Sequence, residues 1–272
     1  MLSSRLFLVL LLNFFIITLN FLCITISEDS CLSLYEYDKS KPLNAEFIVL
    51  KNESSYIIYK VYYDSVNGEK VPAILIRPQS NGAYPCIIFL HGYGGKKEDV
   101  IPAAKMITEV GYVFFAIDAP LHGERKKKNR EFYSPNIEET VNNFIQTVID
   151  LRRGVDLLQT LDFIDKDKIG YAGGSMGGII GALFIGIEDR IKVAVIAVGG
   201  GNISLMVKES KHHTMPAVRK YLEEHNISYE KLADLTACID PINFIGYYKG
   251  AIQFHIAKYD AVSYTHLTLP TT

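Results

Sequence analysis

The apolar positions along the chain fall into two rhythms. Between residues 46 and 77, three short runs rich in Val, Ile and Tyr (46–50, 55–63 and 71–77) predict β-strands. Asn67-Gly68 marks a hairpin turn between the last two. Beyond residue 77 the pattern becomes strand, loop, helix, repeated. Strands are expected at 86–90, 112–117, 168–172, 192–198 and 251–257. Helices are expected at 97–110 and 176–187, with Pro102 tolerable only in the first turn of its helix. Ile137, Val141, Phe144, Val148, Leu151, Val155 and Leu158 alternate steps of four and three, which places them on one helix face. Continuous apolar strands alternating with helices predict an α/β fold, a mostly parallel sheet covered on both faces, with the first strands as an antiparallel edge. Residues 202–240 break the rhythm with polar, helix-prone sequence. They read as a lid-like insertion over the carboxyl ends of the strands.

The N-terminal pattern differs from both. Arg5 precedes an apolar run from 6 to 26, broken only by Asn13, Thr18 and Asn20. Such a run is long for a signal-peptide core and adequate for a membrane span. Thr25 and Ser27 offer a small-x-small cleavage pattern, and Glu28-Asp29 follow. Residues 1–27 are therefore expected to be a signal peptide or a membrane anchor, and either places the body outside the cytoplasm, secreted or tethered. Residues 28–261 read as one domain.

Composition narrows the partners. The 272 residues are 49% hydrophobic and 21% charged, an ordinary globular balance, and the net charge of -2 implies neither nucleic acid nor an acidic surface as partner. The basic run from Arg125 to Arg130 reads as a solvated loop. Of four cysteines, Cys23 lies in the apolar leader and Cys86 opens a buried strand, leaving Cys31 and Cys238 free to pair. No metal-ligand spacing is present in the sequence, and no cofactor is expected.

Gly173-Gly174-Ser175-Met176-Gly177 fits G-x-S-x-G, between a predicted strand and a predicted helix. A tight strand-to-helix turn needs glycine two before and two after the serine, and it lifts the serine oxygen to a helix N-terminus. Ser175 is thus the candidate nucleophile, with Gly173 and Gly177 as its elbow glycines. Acyl transfer also needs two backbone N–H donors for the developing oxyanion. Met176 is expected to supply one and Tyr93, in the loop His91-Gly92-Tyr93-Gly94-Gly95, the other. His91, at a strand end, reads as structural. Asp260 follows the last predicted strand and is the candidate acid. Its rival Asp240 precedes Pro241 and suits a turn or helix cap. Every histidine but one precedes Asp260. His255 is expected in the core, His122 in organising the 118–125 loop, and His212 and His213 in solvent, although a histidine contributed by the insertion stays open.

These pieces, together with Asp118-Ala119-Pro120-Leu121-His122-Gly123-Glu124-Arg125 and Lys258-Tyr259-Asp260, resemble the α/β-hydrolase superfamily. The nearest likeness is to its dienelactone hydrolase, acetyl xylan esterase and prolyl oligopeptidase-like branch. The resemblance implies a triad of Ser175, Asp260 and a histidine after them, with the final strand, histidine loop and last helix of the fold missing. Residues 262–272 look like a translated sequencing adapter and are read as non-native, so His266 is set aside. The implied activity is hydrolysis of small-molecule carboxylic esters through an acyl-enzyme on Ser175. The alternatives are a peptidase of the prolyl oligopeptidase type and a non-catalytic binding protein on the same scaffold.

Overall fold

The computed structural model describes residues 28–258. The chain divides into two units, 1–34 and 35–272. The first contributes one short described helix, α1 (Glu28–Ser33). The second carries all the described strands: β1 (Glu46–Asn52), β2 (Tyr56–Asp64), β3 (Lys70–Pro78), β4 (Tyr84–Leu90), β5 (Val113–Ile117), β6 (Ile164–Gly174), β7 (Ile191–Ala197) and β8 (Ala251–His255). They form a single eight-stranded sheet in the order β1-β2-β3-β5-β4-β6-β7-β8. The pairs from β1 through β3 to β5 are antiparallel, and β5, β4, β6, β7 and β8 run parallel. This is the sheet that the run of apolar strands predicts, including its antiparallel edge. Asn67 and Gly68 both take positive φ, as the turn joining β2 to β3 requires.

The register brings the chemistry to one edge. Leu90 of β4 pairs with Ile117 of β5 and with Gly173 of β6, and Ala197 of β7 pairs with Gly174 and His255. The loops after β4, β5 and β6 therefore leave the sheet side by side. This is the carboxyl edge, where open parallel sheets hold their ligands.

Helices pack against this sheet. In α3 (Ile137–Leu158) the predicted stripe is buried at Ile137, Phe144, Val148, Leu151, Val155 and Leu158. Asn136 caps its start, accepting from the Glu138 amide at 3.0 Å, and Glu138 and Glu139 sit in the first turn where the helix dipole favours negative charge. The helix expected at 97–110 is instead a 3₁₀ segment, Lys97–Ala103, followed by α2 (Ala104–Glu109). Pro102 lacks an N–H, so the α pattern begins only after it. The insertion folds as α5 (Ile203–Glu209), α6 (Met215–Glu224) and α7 (Tyr229–Thr236).

Three further expectations change. His255 is exposed at the end of β8, not buried in the core. The reason is that β8 is the last strand of the described sheet, and its side chains alternate between exposed and half-buried. Arg125 leaves the expected solvated run: its guanidinium bonds Asp150 at 2.6 Å and Glu69 at 3.1 Å, with only 8% of the side chain exposed. His212 is half-buried, as described below. Cys31 and Cys238, expected as available to pair, are each in the disulfide state, and Cys86 is a free buried thiol.

Candidate active site

Strand β6 turns directly into α4 (Met176–Ile187) at Ser175. Ser175 has φ 54° and ψ -122°, a conformation that costs a non-glycine residue roughly 1–3 kcal/mol and that clusters at functional sites. Two backbone bonds hold it there: its amide donates to the Ala197 carbonyl, and its carbonyl accepts from Ile179, both at 2.9 Å. The two elbow glycines, Gly173 and Gly177, have no room for a side chain. A Cβ on Gly177 would overlap the carbonyl oxygen of Leu90, and one on Gly173 would overlap that of Gly177. The Gly177 carbonyl also accepts from the buried Tyr171 hydroxyl at 2.5 Å. The elbow is thus wedged against the end of β4, which is why the pattern demands glycine at those two places.

The loop after β4 approaches the serine. A Cβ on Gly92 would lie 3.5 Å from the Gly174 carbonyl oxygen and 3.7 Å from the Ser175 Cβ. Tyr93 and Ser175 line one cavity together with Ile203, Met206, Val207, Met215, Val218 and Leu232 of the insertion, Ile137 and Phe144 of α3, and Tyr133 from the loop before α3. Most of the lining is apolar. Its polar side chains are Tyr93, Tyr133, Ser134, Thr140, Ser175, Ser210, His212 and Thr236. Met176, buried, begins α4, so its amide belongs to the helix N-terminus where developing negative charge is favoured.

Tyr93 is the centre of an aromatic cluster beside the cavity. The Tyr93 ring stacks with Tyr133 at 5.5 Å and meets His122, His212 and His213 edge-on at 5.4, 4.5 and 5.4 Å. Its hydroxyl donates to Glu131, and burial followed by that carboxylate raises its pKa, keeping the phenol neutral. His212 bonds Thr214 Oγ1 through Nδ1 at 2.8 Å. No pattern in the sequence singled out Tyr133 or Ser134, and His212 was expected in solvent, with a histidine from the insertion left open. Tyr133 and Ser134 come from the loop before α3 and His212 from the insertion, and only the packing of the insertion beside α3 gathers them around the cavity of Ser175.

The remaining candidates separate cleanly. Asp240 is a cap: its carboxylate accepts from the amides of Asn202 at 2.8 Å, Ile203 at 2.7 Å and Ile242 at 3.2 Å, fixing the start of the insertion. His122 organises its loop through the Pro120 carbonyl at 2.9 Å. That loop is anchored by Asp118, whose buried carboxylate accepts from the Lys97 amide at 2.8 Å, Lys97 Nζ at 2.9 Å and the Glu124 amide at 2.9 Å. Glu124 also binds Lys97. Burial works against the charge of Glu124, but hydrogen bonds from Lys97, Tyr62 and Lys60 outweigh it and hold its pKa down to about 2. Asp260 lies outside the described residues, as do His266 and the apolar run 6–26.

The family model for acetyl xylan esterase (AXE1) matches residues 33–269. The chain belongs to the acetyl xylan esterase family. Its fold is that of the α/β-hydrolases. It is similar to acetyl xylan esterase 1 from Thermoanaerobacterium sp. JW/SL YS485 (TM-score 0.72, 18% identity, covering 83% of this chain and 76% of that one). It is also similar to the acetyl xylan esterase from Paenibacillus sp. R4 (TM-score 0.69, 17% identity, 86% and 87%). Among curated relatives, a Bacillus subtilis protein named as a hydrolase, YtaP, is 26% identical over 170 residues, 57% of each chain. The match therefore spans little more than half of that relative's length.

The same burial that shapes the site sets a pH dependence. His91, His122 and His212 are all held below the ordinary histidine value of 6.5, burial being the first cause in each. In the unfolded chain they protonate near 6.5, whereas the fold resists protonation. Their contribution is complete above about 6.5 and is lost as the pH falls from there through their folded values. The melting temperature is expected to be level above about pH 6.5 and to decline below it, ahead of any carboxylate loss. A melting curve unchanged down to about pH 5 would contradict this.

Proposed function

We propose that the protein is a serine-dependent carboxylic ester hydrolase acting on small acyl esters, with acetyl esters of carbohydrates as the substrate class that its family suggests. The observation that carries the reading is Ser175 at a strained elbow between β6 and α4, lining one cavity with Tyr93. In the proposed reaction the Ser175 hydroxyl oxygen attacks the ester carbonyl carbon and a histidine takes its proton. The carbonyl oxygen becomes an oxyanion, met by the amides of Tyr93 and Met176. Collapse expels the alcohol, which takes the proton back from the histidine. Water then releases the acid by the same steps in reverse, so no cofactor enters. The proposal assigns the acid to Asp260 and the base to a histidine following it, in the chain order of this fold.

Localisation belongs to the same proposal. The apolar run 6–26 and the disulfide state of Cys31 and Cys238 support an extracytoplasmic body, secreted or membrane-attached. Among the described residues no helix is long and apolar enough to cross a membrane.

The test is a substrate panel on the full-length protein. Aryl acetates and acetylated xylo-oligosaccharides are expected to be hydrolysed and aminoacyl or prolyl amides to be left intact. Turnover of the amides at rates matching the esters would overturn the ester reading.

A further inference from the structure

The amide assigned to the oxyanion has a direction, and one buried side chain sets it. His91 is 1% exposed. Its Nε2 lies 3.2 Å from the backbone nitrogen of Ala119, and its Nδ1 lies 2.8 Å from the carbonyl oxygen of Gly92. A backbone N–H can only donate, so Nε2 must offer its lone pair. The single proton of the neutral ring then sits on Nδ1, where it is donated to the Gly92 carbonyl. The same carbonyl accepts from the Gly95 amide at 3.0 Å.

The Gly92 carbonyl and the Tyr93 N–H are two ends of one planar trans peptide group, and in such a group they point in opposite directions. Pinning the oxygen therefore aims the N–H. Burial comes first among the influences that hold the ring neutral. Around it, Asp118 and Asp99 favour charge, Lys97 opposes it, and the His122 ring lies 4.9 Å away. The partner of Nε2, Ala119, directly follows Asp118, whose carboxylate the buried Lys97 clamps.

We propose that His91 is a positioning residue for the esterase reaction: as the Nδ1–H tautomer, fixed by the Ala119 amide, it orients the Gly92–Tyr93 peptide so that the Tyr93 N–H faces the oxyanion. In this role it acts through the peptide group and not on the reacting atoms. The inference rests on the reading of Ser175 and Tyr93 given above.

Two variants of the full-length protein separate this role from a structural one. His91→Asn and His91→Leu are close in size, and both lose the acceptor for Ala119, but only Asn keeps an N–H donor within reach of the Gly92 carbonyl. His91→Leu is expected to lose about 10- to 100-fold in kcat with KM little changed, the scale of a misaimed oxyanion donor, while His91→Asn stays within a few-fold of wild type. Equal kcat losses in the two variants, or a loss confined to KM, would overturn the proposal. Imidazole ¹⁵N shifts of the unmodified protein give a second readout that requires neither variant to fold. A protonated Nδ1 with a bare Nε2 is expected, and the opposite tautomer would overturn it. If the nucleophile reading itself were wrong, Ser175→Ala would remain active. If only this proposal were wrong, Ser175→Ala would be inactive while His91→Leu matched His91→Asn.

Discussion

Ser175→Ala is expected to lower esterase kcat by roughly 10⁴- to 10⁶-fold, the scale seen when a hydrolase loses its nucleophile, while the protein stays folded. The hydroxyl is the only part of the side chain that the substitution removes. The bonds that hold the elbow are backbone bonds, from the Ser175 amide to Ala197 and from the Ile179 amide to the Ser175 carbonyl. Alanine preserves both and inherits the same strained dihedrals, so the melting temperature should move little. The residual rate should still exceed the uncatalysed one, because the backbone amides of Tyr93 and Met176 survive. Steady-state kinetics on an aryl acetate, paired with a thermal melt, checks both halves. Activity within about tenfold of wild type would move the nucleophile elsewhere.

Asp118→Ala is expected to produce the largest stability loss of any single substitution near the site, roughly 3–5 kcal/mol. The carboxylate is fully buried and serves three donors at once, the Lys97 and Glu124 amides and the Lys97 ammonium. Lys97 is itself fully buried, and its other carboxylates, Glu98 and Glu124, are each about one-third exposed. Removing Asp118 leaves a buried cation with only these weaker partners and two amides without an acceptor. For a domain of this size the melting temperature should fall by about 10 °C. Asp118→Asn, which retains one carbonyl acceptor, should lose less than alanine. A melt of the alanine variant within about 2 °C of wild type would show the cluster to be marginal.

Much of this architecture could be read from the chain because it rests on local rules. The steps of four and three from Ile137 to Leu158 gave a helix whose apolar stripe is buried as expected. The glycines at 173 and 177 marked the elbow because a side chain there would collide with backbone only a few residues away or one strand over. Asp240 announced itself as a cap by standing before Pro241, and it does cap, although its bonds to Asn202 and Ile203 reach 38 and 37 residues back. What stayed hidden depended on distant partners. Arg125 looked like the start of a solvated basic run because Asp150, which draws it inside, sits on a helix 25 residues away. His212 looked solvated because, although the insertion was expected over the strand ends, nothing in its neighbourhood shows that this residue turns inward to the cavity of Ser175. His255 looked buried because its strand is apolar, yet the position of β8 in the strand order leaves it exposed. The break of the 97–110 helix was half visible, since Pro102 was recognised as a constraint but not as the point where one helix type gives way to another.

An acyl-enzyme on Ser175 should be trappable. The full-length protein is mixed with an aryl acetate, quenched in acid within the first turnovers, digested, and mapped by mass spectrometry. An acetyl group is expected on the peptide spanning Gly173 to Gly177, localised by fragmentation to Ser175 and absent from Ser175→Ala. An acetyl group on any other residue, formed and lost at the rate of turnover while Ser175 stays unmodified, would contradict the account.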